Sequence, residues 1–306
     1  MKHTKNIKLN EKLNLYLLGV KGYECLKYIK ENDYVKHLNY VIIGKDKNIE
    51  DDYSEKIQKL CQASNIDFDY RGGTYLDIEK NIASIAISWK WLINSNAPII
   101  VLHDSILPKY RGFLPLVSQL LDCQKEIGVT AFLANQNYDE GDIIHISKVK
   151  IDYPIKINSA IQKINYCYLK CIEFIFNNIE NKNYIPLKPQ DDKNASYSLW
   201  RDDDDYFVNW NWSAEKIRRF VDSVGYPYKG AKTLLNQKEI TIHHVNIIPN
   251  VKIMNREVGK FFKIEEGKPI IVCNDGLIKI EAAEYRDTKN SILPLNSLKQ
   301  RFANKF

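Results

Sequence analysis

The chain has 306 residues, of which 44% are hydrophobic and 27% charged, and a formal net charge of +6. That length and apolar content suffice for a large buried core and favour two domains. The basic excess is spread among nearly as many acids, which argues against a dedicated nucleic-acid surface.

No run is long and apolar enough to span a membrane. The lysine-bearing start, Met1 to Glu11, passes into mixed polar sequence and does not read as a secretory signal. The six cysteines, Cys25, Cys61, Cys123, Cys167, Cys171 and Cys273, show neither paired zinc spacings nor the density of a disulfide scaffold, and are expected as buried thiols of a soluble cytoplasmic protein.

In chain order, Leu13 to Gly19 is an apolar run leading through Gly19-Val20-Lys21-Gly22 into a helical pattern at Tyr23 to Ile29, a strand, turn and helix. A strand at Tyr40 to Ile43, a helix at Ser54 to Ser64, and apolar runs at Ile82 to Trp89 and Ile99 to Leu102 continue the alternation. Two more strands follow at Ile127 to Ala134 and Ile143 to Ile151, then an amphipathic helix at Asn158 to Ile179. This order predicts an α/β domain, a Rossmann-like and mostly parallel sheet covered by helices, over residues 1–185. The polar, proline-bearing stretch 186–195 is expected as a linker. Beyond it, a helix at Ala214 to Ser223 and short β-like runs at Glu239 to Ile248, Gly259 to Ile264, Pro269 to Cys273 and Gly276 to Ala282 predict a smaller β-rich, OB-like domain over 196–306.

Chemistry concentrates in two stretches. Val101 to Gly112 places His103 and a polar loop where a buried strand ends, the position of ligand crevices in open α/β sheets. Tyr138 to Ile143 is an acidic turn-rich loop, and a carboxylate beside an imidazole suits the histidine to acid/base work near neutral pH. The residues alone also allow a satisfied core histidine and a solvated turn. Gly19 to Gly22 lacks a full dinucleotide fingerprint, and Asp202 to Asp205 reads as a solvated turn, so no metal is assigned. Cys167 and Cys171, four apart on a helix, read as core. The aromatics Trp200, Tyr206, Phe207, Trp210, Trp212, Tyr226 and Tyr228 read mostly as core of the second domain, with one or two available to stack on a base.

The combination His103-x-Ser105-x-Leu107-Pro108-x-x-Arg111-Gly112, then Gly128-Val129-Thr130, then Asp139-x-Gly141-Asp142-Ile143 resembles the formyltransferase family, which includes methionyl-tRNA formyltransferase and sugar N-formyltransferases. The resemblance continues through Ala195 to Ser198, Val208 to Trp210, Ala214 to Ile217 and Tyr226 to Ala231, so it covers nearly the whole chain. It implies His103 as the proton-handling residue and Asp142 as its orienting partner. It also implies a site for 10-formyltetrahydrofolate near Ile87, Trp89, Leu92, Asp139 and Gly141, and acceptor contacts from Ser105, Lys109, Arg111 and Gly112. The family's oxyanion-stabilising asparagine stands two residues before the histidine; here that position is Val101, which has no donor. Ser105, Asn94, Asn96, Asn135, Asn137, a loop backbone N–H or protonated His103 are the candidate replacements. If none serves, the chain is a folate or sugar-nucleotide binding protein without turnover.

The acceptor implied is a nucleotide-linked amino sugar, as in lipopolysaccharide biosynthesis. Members acting on initiator tRNA carry a basic loop after the second strand, whereas here Gly44 to Asp52 holds four acids against two bases, and acids repel a phosphate backbone. Initiator methionyl-tRNA is the alternative acceptor. The partners expected are thus folate and nucleotide-sugar small molecules, without nucleic acid or membrane, and a homodimer is compatible with the resemblance.

Overall fold

A computed structural model describes residues 5–47, 51–73 and 81–305. It divides into two units: Met1–Gln119 with Lys125–Ile151 and Ile161–Leu199, and Leu120–Gln124 with Asp152–Ala160 and Trp200–Phe306.

The first unit is built on seven strands: β1 (Leu13–Leu17), β2 (Leu38–Ile43), β3 (Phe68–Tyr70), β4 (Ser84–Ile87), β5 (Ile99–His103), β6 (Glu126–Leu133) and β7 (Ile143–Lys150). Their order across the sheet is β3-β2-β1-β4-β5-β6-β7, with the first five parallel and β6 antiparallel to both β5 and β7. All of β1 and β4 is buried, the near-continuous apolar character of strands covered on both faces. The helices are α1 (Gly19–Glu31), α2 (Ser54–Gln62), α3 (Pro115–Leu121) and α4 (Ile157–Glu180). The mostly parallel sheet expected from the alternation is present. The three-residue β3 had no sequence signature, since so short a strand carries no periodicity.

Residues 186–195, expected as a linker, are hydrogen-bonded into the first unit. Asn6–Ile7 pairs antiparallel with Ile185–Pro186, Lys188 exchanges backbone hydrogen bonds with Ile143, and Tyr197–Ser198 pairs parallel with Arg111–Gly112.

The second unit carries α5 (Ala214–Val224), capped by the Ser213 hydroxyl accepting from the Lys216 N–H, and a six-stranded antiparallel sheet. Its strands are β8 (Ala231–Leu235), β9 (Lys238–Ile248), β10 (Phe261–Glu265), β11 (Lys268–Val272), β12 (Leu277–Tyr285) and β13 (Phe302–Ala303), ordered β10-β11-β12-β9-β8-β13. Trp210 is buried, stacks on Phe302 at 5.5 Å and donates its indole N–H to Thr233, as the aromatic-core reading expects. Trp200 and Tyr226 are exposed. Five cysteines are buried, and burial pushes the Cys61, Cys171 and Cys273 thiols up to about 12; Cys123 departs from expectation by being exposed. Among the described residues no helix is long and apolar enough to cross a membrane.

Candidate active site

β5 ends at His103, and period-two alternation puts Val101 and His103 on one face of that strand. Antiparallel pairing sets His103 opposite Thr130 and Val101 opposite Phe132. The Thr130 hydroxyl donates to the Ser105 carbonyl at 2.7 Å and accepts from the Leu107 N–H at 3.0 Å, so the loop leaving β5 is fixed to β6. The Gly128-Val129-Thr130 segment thereby has a physical role, which is to hold the histidine loop.

His103 is 7% exposed, with its ring edge-on to Phe132. Its Nε2 lies 2.8 Å from the Tyr110 carbonyl oxygen, which can only accept, so Nε2 carries the hydrogen. Nδ1 is then the basic nitrogen, and it faces the Asp139 carboxylate at 3.6 Å. Asp139 is held in turn by the Gly112 N–H, which donates to its Oδ2 at 2.7 Å. Gly112 has φ +98°, and a Cβ there would meet the Ser198 carbonyl oxygen at 2.5 Å, so no side chain fits.

The carboxylate nearest His103 is therefore that of Asp139. Asp142 meets its neighbours through its backbone carbonyl, which accepts from the Leu133 N–H at 2.9 Å and ties the acidic loop to β6. Spacing alone could not separate the two, because they lie three apart in one turn and the turn geometry decides which faces the imidazole.

Two expected acceptor contacts are consumed within the fold. Arg111 is 1% exposed, donating to Gln190 Oε1 at 3.1 and 2.9 Å and to Asp192 at 2.7 Å, with Glu140 at 3.4 Å. Ser105 is fully buried and donates to the Lys109 carbonyl at 2.6 Å, leaving its hydroxyl hydrogen unavailable to an oxyanion. Both residues shape the site from behind. Lys109 is exposed, and Gly112 contributes its N–H to Asp139. Asn94, Asn96, Asn135 and Asn137 are exposed, and Asn137 donates to Glu140. Val101 packs against Phe132 and its neighbours, so the position that would hold a donor is apolar.

At the end of β4, Ile87 is buried and Ser88 takes a left-handed φ of 54°. Trp89 packs edge-on against Tyr16 at 5.1 Å and Trp91 at 4.8 Å, and its buried indole N–H has no hydrogen-bond partner among the described residues. That donor lies at the carboxyl end of the parallel sheet, where open α/β sheets take their ligands. Leu92 is 92% exposed. Gly141 is buried against β6, where a Cβ would overlap the Leu133 carbonyl. Beside this crevice lies a group the sequence did not disclose. Asp104 receives the ammonium of buried Lys21 and the hydroxyl of Tyr168, and burial followed by Asp104's charge raises the Tyr168 pKa well above the usual phenol range. Lys21 came from the segment read as a weak dinucleotide fingerprint; no local pattern pairs it with a residue 83 positions on. Among the described residues no group of three or more His, Cys, Asp or Glu could hold a metal ion.

The loop after β2 lies partly outside the described residues, at Asn48, Ile49 and Glu50. In the remainder, Asp52 accepts from the Asp46 and Ser54 N–H groups, Lys90 pairs with Asp46 at 2.7 Å, Lys56 pairs with Asp51 at 2.6 Å, and Lys45 lies over the Tyr70 ring at 4.3 Å.

Comparison with known proteins places this geometry. A sequence model described as formyl transferase matches residues 87–165, and a model of the formyl transferase C-terminal domain matches residues 201–297. The methionyl-tRNA formyltransferase of Finegoldia magna is 28% identical over 198 residues, 65% of this chain and 61% of that protein. The enzyme of the same name from Fervidobacterium nodosum is 29% identical over 204 residues, 65% and 63% of the two chains. This chain thus spans about three fifths of the length of these curated relatives. Among solved structures, WlaRD, a sugar 3N-formyl transferase determined with dTDP and 5-N-formyl-THF, superposes with a TM-score of 0.60 at 20% identity, covering 96% of this chain and 98% of that one. The N-formyltransferase from Helicobacter canadensis, in complex with folinic acid and dTDP-3-aminofucose, gives a TM-score of 0.63 at 17% identity, covering 88% and 98%. With both domain models matched in order, and with the motif residues gathered around one histidine at the end of β5, the chain belongs to the formyl transferase family.

Proposed function

We propose that this protein transfers a formyl group from 10-formyltetrahydrofolate to the primary amine of a nucleotide-linked amino sugar, in the cytoplasm and as a step of lipopolysaccharide biosynthesis. The observation that carries the reading is the histidine at the end of β5, with Nε2–H donated to Tyr110 and Nδ1 turned toward Asp139. Such an imidazole is a base at one defined atom, with a carboxylate in place to stabilise the cation it becomes.

In the proposed reaction the amine nitrogen bonds to the formyl carbon and gives up a proton to His103 Nδ1. The bond from that carbon to the folate nitrogen then breaks, and the proton passes to the departing nitrogen. Ile87, Trp89 and the Asp139–Gly141 loop would line the folate site, with the free Trp89 N–H as a donor to it. With Ser105 committed to Lys109 and Val101 apolar, protonated His103, loop backbone N–H groups and the exposed Asn94, Asn96, Asn135 and Asn137 remain as the candidate stabilisers of the tetrahedral oxyanion.

The small acceptor is supported by the region around the loop after β2, where Lys45 lies over the Tyr70 ring and Lys56 of α2 and Lys90 face acids, which leaves Lys47, exposed, as the other lysine among the loop's described residues. A tRNA acceptor demands many phosphate contacts and a binding constant falling steeply with salt. The names of the curated relatives favour the second reading, initiator methionyl-tRNA. Incubation of the purified protein with 10-formyltetrahydrofolate and a panel of amino-sugar nucleotides, beside charged initiator tRNA, separates the two. Formylation of an amino-sugar nucleotide with only mild salt dependence is the expected result. Efficient formylation of the tRNA, with no reaction across the sugar panel, would overturn it.

A further inference from the structure

The acidic loop that faces His103 is held by one side chain from a segment whose composition is that of a linker. The Gln190 amide nitrogen donates to the Asp139 carbonyl and to the Gly141 carbonyl, both at 2.8 Å. Its oxygen accepts from Arg111 Nε at 3.1 Å and from Arg111 Nη2 at 2.9 Å. Both amide hydrogens and both oxygen lone pairs are thereby used, which fixes the side chain in one orientation. Arg111 is itself immobile, 1% exposed and paired with Asp192 and Glu140. One end of the bridge is therefore anchored in the fold, and the other grips the turn that carries Asp139.

The loop's other fixings lie after Asp139, where Glu140 faces Arg111 at 3.4 Å and the Asp142 carbonyl accepts from the Leu133 N–H at 2.9 Å. Asp139 sits at φ +57°, and residues Ala134 to Tyr138 ahead of it are exposed. The remaining contact of its carboxylate that bears on position is the Gly112 N–H at 2.7 Å, one residue after Arg111. Arg111, Gln190, the turn and Gly112 close a ring of hydrogen bonds whose product is a carboxylate oxygen 3.6 Å from His103 Nδ1. An unrestrained turn would let that distance open, and misplacement by about 1 Å costs on the order of a hundredfold in rate.

We propose that Gln190 is a positioning residue for the transfer reaction, acting through Asp139: it holds the acidic turn so that the carboxylate stays beside the histidine. The kinetic part rests on the transfer reading above; the positional part does not.

Gln190→Glu isolates the role, because it keeps an oxygen for Arg111 but can donate to neither carbonyl. In amide hydrogen exchange of the free protein, the Gly112 N–H should exchange at least about tenfold faster in this variant. The Arg111 and Phe113 N–H groups, which donate to Ser196 at 2.8 Å and Ser198 at 3.0 Å, should keep their protection. Turnover should show kcat reduced by about tenfold or more, with KM for the folate within about twofold. In an Asp139→Asn background the same substitution should change kcat by less than about twofold, because the residue it positions is already disabled. Gln190→Met, uncharged, should reproduce the exchange result if the added charge of Glu disturbs folding. Unchanged Gly112 exchange in both variants would overturn the proposal even if no acceptor were found. Equal loss of kcat in the two backgrounds would overturn its kinetic half and leave Gln190 as a stabilising residue only.

Discussion

Two aspartates, one in each unit, show how neighbours decide what a carboxylate is for. Asp203 in the second unit receives Arg286 through hydrogen bonds at 2.9 and 3.2 Å, the buried ammonium of Lys232, and Lys229 at 3.5 Å. The Arg286 hydrogen bond, then Lys232, hold its pKa far below the usual carboxylate range against the opposing effect of partial burial. It joins β8 and the end of β12 to the segment before α5. Asp139 in the first unit accepts from one backbone N–H and faces an imidazole at 3.6 Å, and among the described residues no Lys or Arg is paired with it. A carboxylate saturated by fixed cations has no charge to lend. One whose neighbour is a titratable ring can respond when that ring takes a proton.

The comparison can be broken first at the ring. His103→Asn removes the group that makes Asp139 different from Asp203, and on the proposed function kcat should fall by on the order of a thousandfold while circular dichroism and folate binding are retained; a variant keeping most of its turnover would remove His103 from the mechanism. A smaller effect sharpens which acid matters. Asp139→Asn should reduce kcat by about tenfold to a hundredfold, a loss that exceeds the effect of Asp142→Asn, because it is the Asp139 carboxylate that faces Nδ1 at 3.6 Å. Reversal of that order in side-by-side kinetics would restore Asp142 as the partner.

The smallest effect on catalysis belongs to Asp203, whose substitution should appear in stability instead. Asp203→Asn leaves buried Lys232 without its counter-charge and should lower the unfolding free energy by about 1–3 kcal/mol, less than for a fully buried pair because Asp203 is 45% exposed. The sign with pH follows from the depressed pKa. The stabilisation is fully present above the unfolded carboxylate's pKa of about 4 and is lost as pH falls below it toward the folded value. Denaturant unfolding at neutral pH and near pH 3 should therefore show the wild type losing stability on acidification and the Asn variant losing less of it. Parallel losses in both proteins would show that the Asp203 cluster carries no net stability.

The elements were largely legible in the sequence, because the apolar run of a buried strand and the 3.6-residue period of an amphipathic helix are local properties. β1, β5 and α4 lie within two residues of their expected bounds for that reason. The histidine at a strand end was legible too, since a polar residue closing an apolar run marks a sheet edge. What it touches was not. Asp139 and Asp142 lie three apart in one acidic loop, and the left-handed φ of 57° at Asp139 is a property of the folded backbone that the loop's composition does not reveal. Ser105 and Arg111 carry donors suited to a ligand, yet the fold uses those donors on Lys109, Gln190 and Asp192.

The amino-acid sequence by itself determined the alternation of strands and helices, the place of His103 at the end of one of them, and the family motif around it. Only the tertiary structure decided that Nδ1 is the basic nitrogen, that Asp139 is the carboxylate facing it, and that Lys21 meets Asp104 and Gln190 bridges Arg111 to the acidic turn. The reason is one of range and of loop conformation: periodicity and strand-end chemistry are set by neighbours a few positions away, whereas the ion pairs and the Gln190 bridge join residues 36 to 83 positions apart, and the proton on Nε2 is fixed by how the loop leaving β5 turns its own Tyr110 carbonyl back seven positions.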